Sequence, residues 1–266
     1  MALRQNPKGE MPFLDHLEEL RWRILWSLAA IILGAVVGYV LVQRFGVMEI
    51  LISPARDYLV DGKLVFLSPV DGFFVTIKLA VLTGLILTSP IIIYQIWAFL
   101  SPALEKHEKR VIVPSLYFGL ILFAAGVWLA YAIALPVTMP FLMGFQTEFL
   151  APTIEVNKYM GFVTKLLLAF GIVFELPVVV MILSALGLVT PTFLRSKRRH
   201  AIVGITVLAS FLSPGDVITV TVLMMVPLIL LYEVSIVLSQ MIYRRREANV
   251  IQPPDTPPEG AIGVGG

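Results

Sequence analysis

The sequence contains no cysteine, only three histidines and few charged side chains. Without cysteine, the chain can form no disulfide, no thiol active site and no cysteine-ligated metal centre. The histidines are His16, His107 and His200, and their positions show no ligand spacing, so we predict no metal site. Charged residues make up 14% of the 266 residues, whereas soluble domains contain about 25%. The composition therefore argues against a soluble domain.

The signatures of enzymes are also missing from the sequence. It contains no H-E-x-x-H, no G-x-S-x-G and no P-loop pattern, which mark metallopeptidases, serine hydrolases and nucleotide-binding enzymes. The turn "SPGD", residues 213–216, holds a Gly-Asp pair, but no second aspartate lies deep in another apolar run to complete an intramembrane aspartyl protease. We therefore predict that the protein is not an enzyme and has no catalytic residue and no cofactor.

The sequence is instead rich in long apolar runs. Hydrophobic side chains make up 58% of the chain, and the mean hydropathy is +0.89. A helix needs roughly 20 apolar residues to cross a bilayer. Six runs are predicted to be transmembrane helices, at residues 24–42, 73–100, 111–135, 162–186, 201–212 and 217–243. The fifth run is brief and the sixth is interrupted by Pro227, so the last two helices are predicted to be short.

The lysines and arginines predict the orientation of these helices. Fourteen of them lie on one side of the predicted membrane and four on the other. Basic residues concentrate on the cytoplasmic side, so we predict a multi-pass protein of the cytoplasmic (inner) membrane with both termini in the cytoplasm. Residues 1–246 are predicted to form one membrane domain. The Pro- and Gly-rich residues 247–266 are predicted to be a disordered cytoplasmic tail.

Prolines, glycines and apolar loops predict the shape of the bundle. Three prolines lie inside predicted spans, at Pro90, Pro177 and Pro227. Interior prolines kink helices, so we expect a curved, concave all-α bundle. The stretch "GAVVG", residues 34–38, has the small-residue spacing of a helix-packing face. The two larger outer loops, residues 43–72 and 136–161, contain apolar residues, so we expect short helices within them.

Two glutamates lie inside predicted spans, Glu175 in the fourth and Glu233 in the sixth. A charge at bilayer depth costs roughly 2.5–3.5 kcal/mol on insertion scales, and such residues usually face a bundle interior or a wet cavity. Glu175 is therefore a candidate functional residue, or else a protonated glutamate bonded to a neighbouring helix. For Glu233, a functional and a structural role remain equally open.

Acidic residues also flank the predicted spans on the cytoplasmic side. They are Asp15, Glu18 and Glu19 before the first span and Glu105 and Glu108 after the second. Apolar residues at helical spacing predict that residues 12–23 form an amphipathic helix leading into the first span. One interpretation is a solvated helix face with pairs such as Glu19–Arg23, worth about 0.2–0.5 kcal/mol. The other is a site for a cationic partner, because carboxylates bind guanidinium groups in a bidentate manner.

Four segments, in order along residues 13–246, resemble the TatC family, the multispanning receptor of the twin-arginine protein translocase. They are "HLEELRWR", "SPIIIYQIWAFLSPALEKHEKR", "AFGIVFELPVV" and "FLSPGDVIT". The resemblance implies that the protein binds signal peptides with two consecutive arginines, carried by folded cargo proteins. It also implies small single-span partners, TatA-like and TatB-like, in a multimeric complex surrounded by membrane lipids. No nucleic-acid partner is expected.

The resemblance assigns roles to particular residues. Glu19 and Glu108 would face the two arginines, and the patch would be completed by Arg21, Phe99, Leu104 and His107. Glu175 matches a membrane glutamate that meets a partner helix. Pro54 and Asp216 match a proline of the first outer loop and an aspartate after the fifth span. Asp15 and Glu18 are left on a solvated helix face.

One alternative function remains open, a small proton-coupled secondary transporter with Glu175 as its proton site. Such transporters often contain internal repeats. The six predicted spans have unlike lengths and motifs, so the sequence favours the receptor. Solute flux that disappears in Glu175→Gln would favour the transporter.

Overall fold

The computed structural model of the protein describes residues 13–100, 109–144, 153–212 and 218–251, and these residues are almost entirely helical. The longer helices are α1 (Phe13–Arg44), α3 (Asp71–Leu100), α4 (Lys109–Leu129), α6 (Val156–Phe174), α9 (Arg198–Leu212) and α10 (Ile218–Ile251). The shorter ones are α2 (Val47–Ile52), α5 (Leu135–Met143), α7 (Leu176–Ala185) and α8 (Pro191–Ser196). Within the described ranges, five stretches are long and apolar enough to cross a membrane: Leu14–Arg44, Asp71–Leu100, Pro114–Met143, Val156–Ala185 and Met224–Arg244.

Helix α1 packs against α3 through small residues. A Cβ atom added to Gly34 would lie 2.6 Å from Cγ2 of Thr88 and 2.8 Å from the carbonyl oxygen of Gly84. Gly38 likewise faces the backbone of Ala80. Side chains at these positions would push the two helices apart, so the packing face predicted from "GAVVG" is confirmed. The rest of α1 is open, with only 11% of its apolar window buried.

The core lies around α6, which contacts both α3 and α4. Half of the apolar window of Val156–Ala185 is buried inside the protein. Its fully buried side chains include Phe170, Leu166 and Met160, and these pack in one cluster with Leu79 of α3 and Leu135 of α5. Helices α6 and α7 therefore form the centre of the fold, and α1 lies at its margin.

The third predicted span is longer than the sequence indicated. After α4 the chain makes a π-helical turn, Ala130–Ala134, and continues through α5 to Met143. Pro136 follows this turn, and its missing N–H group removes one hydrogen bond from the continuous helix there. Because α6 begins at Val156, the outer loop predicted at residues 136–161 reduces to the connection between Met143 and Val156.

The last helix is not short, in contrast to the prediction. Helix α10 runs without interruption for 34 residues and includes Pro227 in its interior. It extends past residue 246 to Ile251, and residues 252–266 of the predicted tail lie outside the described residues. Helix α9, by contrast, has only 15 residues. The prediction of a short helix is therefore confirmed for the fifth predicted span alone.

The first outer loop contains short helices, as its apolar residues predicted. These are α2 and two 3-10 segments, Ser53–Tyr58 and Val60–Gly62. Two tyrosines hold the loop on the core: the hydroxyl of Tyr159 donates to the carbonyl oxygen of Leu51 at 2.8 Å, and that of Tyr131 donates to Ile50 at 3.0 Å. The loop is thus fixed to α6 and to the π-helical turn.

Candidate functional site

Glu19 lies on the side of α1 that faces α3, near the start of the helix. Its Oε1 atom accepts a hydrogen bond from Nη2 of Arg23, one turn later, at 3.1 Å. The Glu19 side chain is only 20% exposed, whereas Asp15 and Glu18 are exposed. The predicted Glu19–Arg23 pair is therefore present, and it singles out Glu19 from its acidic neighbours.

Arg23 connects this pair to α3. Its Nη1 atom donates to Oε1 of Gln95 at 3.0 Å. One guanidinium group therefore binds a carboxylate on its own helix and an amide on the next. The second carboxylate oxygen of Glu19, Oε2, is buried and has no hydrogen-bond partner among the described residues. The described residues therefore leave an acceptor of this oxygen unused, and an incoming donor reaches it only when a neighbouring side chain moves.

Phe99 lies at the same end of the α1–α3 pair. Its ring stacks on the imidazole of His16, with centroids 4.3 Å apart and an interplanar angle of 15°. The structure thus brings Glu19 and Phe99, both predicted site residues, to one helix pair. Arg21 is exposed and lies about 200° around α1 from Glu19, so it does not share that face. The other predicted residues of the patch, Leu104, His107 and Glu108, lie outside the described residues, as does Asp216.

Sequence reasoning missed three participants at this end of the bundle: His16, Arg23 as a bridge, and Gln95. Helical spacing could have revealed two of them, because residues 16, 19 and 23 are one turn apart and share one face of a helix. Gln95 carried no signal, since its partner is 72 positions away in the sequence.

An open groove of about 480 Å³ runs between α1 and α3 from this site. Arg23, Gln95 and Ser27 supply polar groups, and the rest of the lining is apolar: Leu20, Ile24, Leu28, Ile31, Ile92, Ile96 and Phe99. A ligand with a cationic end and an apolar continuation would find both kinds of surface here.

Glu175 occupies the break between α6 and α7. The α6 ladder ends at Phe174, and α7 restarts at Leu176 with Pro177 in its first turn. A proline has no N–H to donate to the preceding turn, so the sequence Glu-Leu-Pro interrupts the hydrogen-bond ladder at this point. The predicted fourth span is therefore two helices, with the acidic side chain at their junction.

The Glu175 carboxylate lies against a glycine of α4. A Cβ atom added to Gly119 would come within 2.8 Å of Oε2 and 3.4 Å of Oε1. The side chain is half-buried, and Oε1 has no hydrogen-bond partner among the described residues. Glycine at position 119 thus makes room for an acid that no cation in the described part of the chain neutralises.

The two remaining predicted positions have evident structural roles. Oε2 of Glu233 accepts a hydrogen bond from Nη2 of Arg198 at 2.6 Å, which joins α10 to the start of α9. Pro54 is in the first turn of the 3-10 segment Ser53–Tyr58, directly after α2. It lies beside Ser53, whose hydroxyl is 3.1 Å from that of Tyr131.

Comparison with known proteins places these features in a family. The family model of the Sec-independent protein translocase protein TatC matches residues 15–227. The TatC protein of Aquifex aeolicus (strain VF5) is 39% identical over 239 residues, or 89% of this chain and 98% of that protein. That of Carboxydothermus hydrogenoformans is 38% identical over 232 residues, or 87% of this chain and 94% of that protein.

A solved structure agrees with the sequence relatives. The crystal structure of a twin arginine translocase receptor, TatC, aligns with a TM-score of 0.74 at 39% identity, over 86% of this chain and all of that one. A second, of the receptor in DDM, aligns with a TM-score of 0.75 at 40% identity, over 84% of this chain and 99% of that one. This chain belongs to the TatC family and is a non-enzymatic membrane component of the Sec-independent (Tat) protein translocase.

Proposed function

We propose that this protein is the core receptor of the twin-arginine translocase. It binds the twin-arginine signal peptides of folded cargo at its cytoplasmic face and nucleates the translocation complex. In this proposal the chain crosses the cytoplasmic (inner) membrane six times, with both termini in the cytoplasm and a concave face towards its partners. Those partners are TatA-like and TatB-like single-span proteins.

The observation that carries the proposal is the state of Glu19. One carboxylate oxygen is held by Arg23, and the other is buried and free of any described partner. Hydrogen bonds that involve charged groups are worth about 1.5–3 kcal/mol, and a guanidinium donor matches a carboxylate in geometry. A signal-peptide arginine that reaches Oε2 therefore gains more than it would from an exposed, solvated acid.

Family resemblance supplies the rest of the site. The second arginine faces Glu108, and Arg21, Phe99, Leu104 and His107 complete the patch. The apolar part of the signal peptide starts in the groove beside Glu19 and enters the concave face near Glu175. Glu175 lies ten residues before the end of α7, or about 15 Å along the helix. At that depth the Glu175 side chain contacts the single-span partner helix.

A peptide-binding experiment tests this function. Peptides that differ only in an Arg-Arg or Lys-Lys pair are titrated against the purified wild type, Glu19→Ala and Glu108→Ala. Glu18→Ala is the matched control, because Glu18 is an exposed acid one position from Glu19. We expect the Arg-Arg peptide to bind more tightly, and each of the two site variants to lose about tenfold to a hundredfold in affinity. Equal binding of both peptides to all four proteins would contradict the site.

A crosslinking experiment tests the partner contact. A photoreactive residue at position 175 is compared with one at Leu176, its exposed neighbour on the chain. We expect a single-span partner to crosslink from position 175 more strongly than from position 176. Equal crosslinking from both positions would argue against a specific contact at Glu175.

The transporter alternative has no support beyond the acid itself, since the chain belongs to a translocase family.

A further inference from the structure

Two groups of basic residues lie at different levels along α10. The first group is formed by the end of α8 and the start of α9, and we call Arg195, Lys197, Arg198 and Arg199 the α8–α9 platform. The second group is at the end of α10, Arg244–Arg246. Arg198 binds Glu233 at 2.6 Å, and Glu233 precedes Arg244 by eleven residues, or about 16 Å along the helix.

The platform is held firmly against α10. The hydroxyl of Tyr232 donates to the carbonyl oxygen of Leu194 at 2.8 Å, and the side-chain amide of Gln240 faces the guanidinium of Arg195. Glu233 and Gln240 are two turns apart on one face of α10. Arg198 and Arg195 therefore lie along that face, from the level of Glu233 to that of Gln240.

The platform carries more positive charge than its surroundings neutralise. Glu233 compensates Arg198, but the partner of Arg195 is an uncharged amide. In the part of the chain that the structure describes, no carboxylate lies at ion-pairing distance from Lys197 or Arg199, and both are exposed. Three cationic groups are thus left without an acidic partner there.

A flat membrane surface cannot contact both basic groups at once. Helix α9 has 15 residues, so it is about 22 Å long, whereas the hydrocarbon layer is about 30 Å thick. On the proposed six-span topology, both groups face the cytoplasm. Even if α10 is tilted by about 40°, Glu233 and the Arg198 bound to it lie about 12 Å further into the membrane than Arg244, whereas Arg195, which faces Gln240, lies nearer to it. The basic residues therefore lie at successive levels along α10, with Arg198 and its neighbour Arg199 at the deepest.

We propose that the headgroups of anionic phospholipids bind Lys197 and Arg199 at this level. A lipid fits better than a soluble anion because α9 continues from the platform with exposed apolar side chains. Val203 lies one turn after Arg199 and is 63% exposed, and Val207 is 52% exposed. The phosphate contacts the cations while the acyl chains cover these residues. This proposal rests on the proposed topology, which puts the platform at a membrane surface.

The test is the selectivity of the full chain for an anionic lipid. Wild type and variants are placed in nanodiscs of phosphatidylcholine with a small fraction of spin-labelled phosphatidylglycerol, and the immobilised fraction is measured. Lys197→Gln with Arg199→Gln removes the two charges of the platform that have neither an acid nor the Gln240 amide beside them. Each cation near a charged surface contributes about fivefold, so we expect a loss of about thirtyfold in selectivity. The matched control, Arg244→Gln with Arg246→Gln, removes the same charge and should lose far less.

Further variants separate this proposal from its alternatives. Lys197→Arg with Arg199→Lys keeps the charge and should keep the selectivity. The proposal is wrong if the Gln variants at both levels lose the same selectivity, because that would reflect net charge alone. It is also wrong if inorganic phosphate displaces the labelled lipid completely.

Two measurements show whether a failure belongs to this proposal or to the proposed function. Because the chain has no cysteine, Ser196→Cys gives a single site for a membrane-impermeant thiol reagent in inverted vesicles. Labelling there supports the topology, and its absence overturns this proposal together with the six-span arrangement. Twin-arginine peptide binding should be unchanged in the Lys197→Gln, Arg199→Gln variant, and a parallel loss of peptide binding would contradict a separate lipid site.

Discussion

Two acidic residues of this protein, Glu19 and Glu175, have contrasting surroundings. Glu19 is at the end of the α1–α3 pair and has a cation in contact, Arg23, while its second oxygen has no hydrogen-bond partner among the described residues. Glu175 lies within the helical core, at a break in its own helix, and its neighbour across the interface is Gly119. The carboxylate of Glu19 is positioned by the charge of Arg23, and that of Glu175 is accommodated by the space that Gly119 leaves. We infer that a cationic ligand is recognised at Glu19 and a helix at Glu175.

The difference follows from what surrounds each carboxylate. Arg23 fixes Glu19 through two helices at once, because it also binds Gln95 of α3. Such a bridge orients the acid without using both of its oxygens. At Glu175 the described residues supply space but no donor for Oε1, and a buried unsatisfied polar group costs about 1–3 kcal/mol. A partner helix with a donor at this level would remove that cost.

Charge reversal at the first acid should have the largest effect. In Glu19→Arg, the free acceptor becomes a cation beside Arg23, so a twin-arginine peptide meets repulsion in place of a charged hydrogen bond. We expect a loss of at least a hundredfold in affinity, about 3 kcal/mol. Isothermal titration of the purified receptor measures it. Glu18→Arg, an exposed neighbour, should change affinity only slightly. If the two reversals behave alike, the site recognises net charge and not Glu19.

A methyl group at position 119 should fill the space that accommodates the carboxylate of Glu175. In Gly119→Ala, the added Cβ atom lies 2.8 Å from Oε2 of Glu175, so the carboxylate or helix α4 must shift. Because the clashing atoms are the end of a flexible side chain that can move aside, we expect a loss of stability of no more than about 1 kcal/mol, measured by thermal unfolding in detergent. Glu175→Ala in the same chain should recover much of that loss, since it removes the clashing oxygens.

Gly204→Ala is the matched control for this change. No atom lies within 4 Å of a Cβ added to Gly204 in α9, and alanine is favoured over glycine in a helix by about 1 kcal/mol. This variant should be as stable as the wild type or slightly more stable. If Gly119→Ala is equally harmless, or if Glu175→Ala gives no recovery, the contact between Gly119 and Glu175 does not matter for stability.

Removing the Arg23 bridge between Glu19 and Gln95 should have a smaller effect on the stability of the protein than on peptide binding. Arg23→Gln eliminates the contact with Glu19, and both side chains are partly exposed, at 31% and 20%. Ion pairs of this kind contribute less than about 1 kcal/mol. Peptide affinity should fall about fivefold, because Glu19 loses its orientation. In Gln95→Leu, which removes only the contact of Arg23 with α3, the peptide affinity should fall less. A rise in affinity in Arg23→Gln would mean that Arg23 competes with the peptide.

Much of this arrangement could be predicted from the sequence, because its signals are local. The apolar runs predicted most of the helix positions, and "GAVVG" predicted the packing face on α3. The spacing of Glu19 and Arg23 predicted their pair. Each of these features depends on residues within a few turns of one helix, where periodicity fixes the relative positions of side chains.

The features that the sequence could not supply depend on distant residues. The contact of Gly119 with Glu175 and the bond from Arg23 to Gln95 join separate helices, and nothing near any of these residues indicates its partner. The length of the sixth predicted helix was also missed, because Pro227 was taken as an interruption. Pro227 lies inside α10, since proline ends a helix only where surrounding contacts do not hold it.

A third acid gives the smallest expected effect, and it completes the comparison. Glu233 has a cation in direct contact, Arg198 at 2.6 Å, whereas no residue in the described ranges supplies one for Glu175. Both partners are about half exposed, so solvent screens the pair and Glu233→Gln should cost no more than about 0.5 kcal/mol in stability. Twin-arginine peptide binding should be unchanged, because Glu233 lies on α10, outside the groove between α1 and α3. Thermal unfolding and peptide titration of Glu233→Gln, beside Glu175→Gln, measure both. A loss of peptide binding in Glu233→Gln comparable to that in Glu19→Ala would show that a half-exposed acid outside this groove also serves the ligand, and the distinction drawn from Oε2 of Glu19 would not hold.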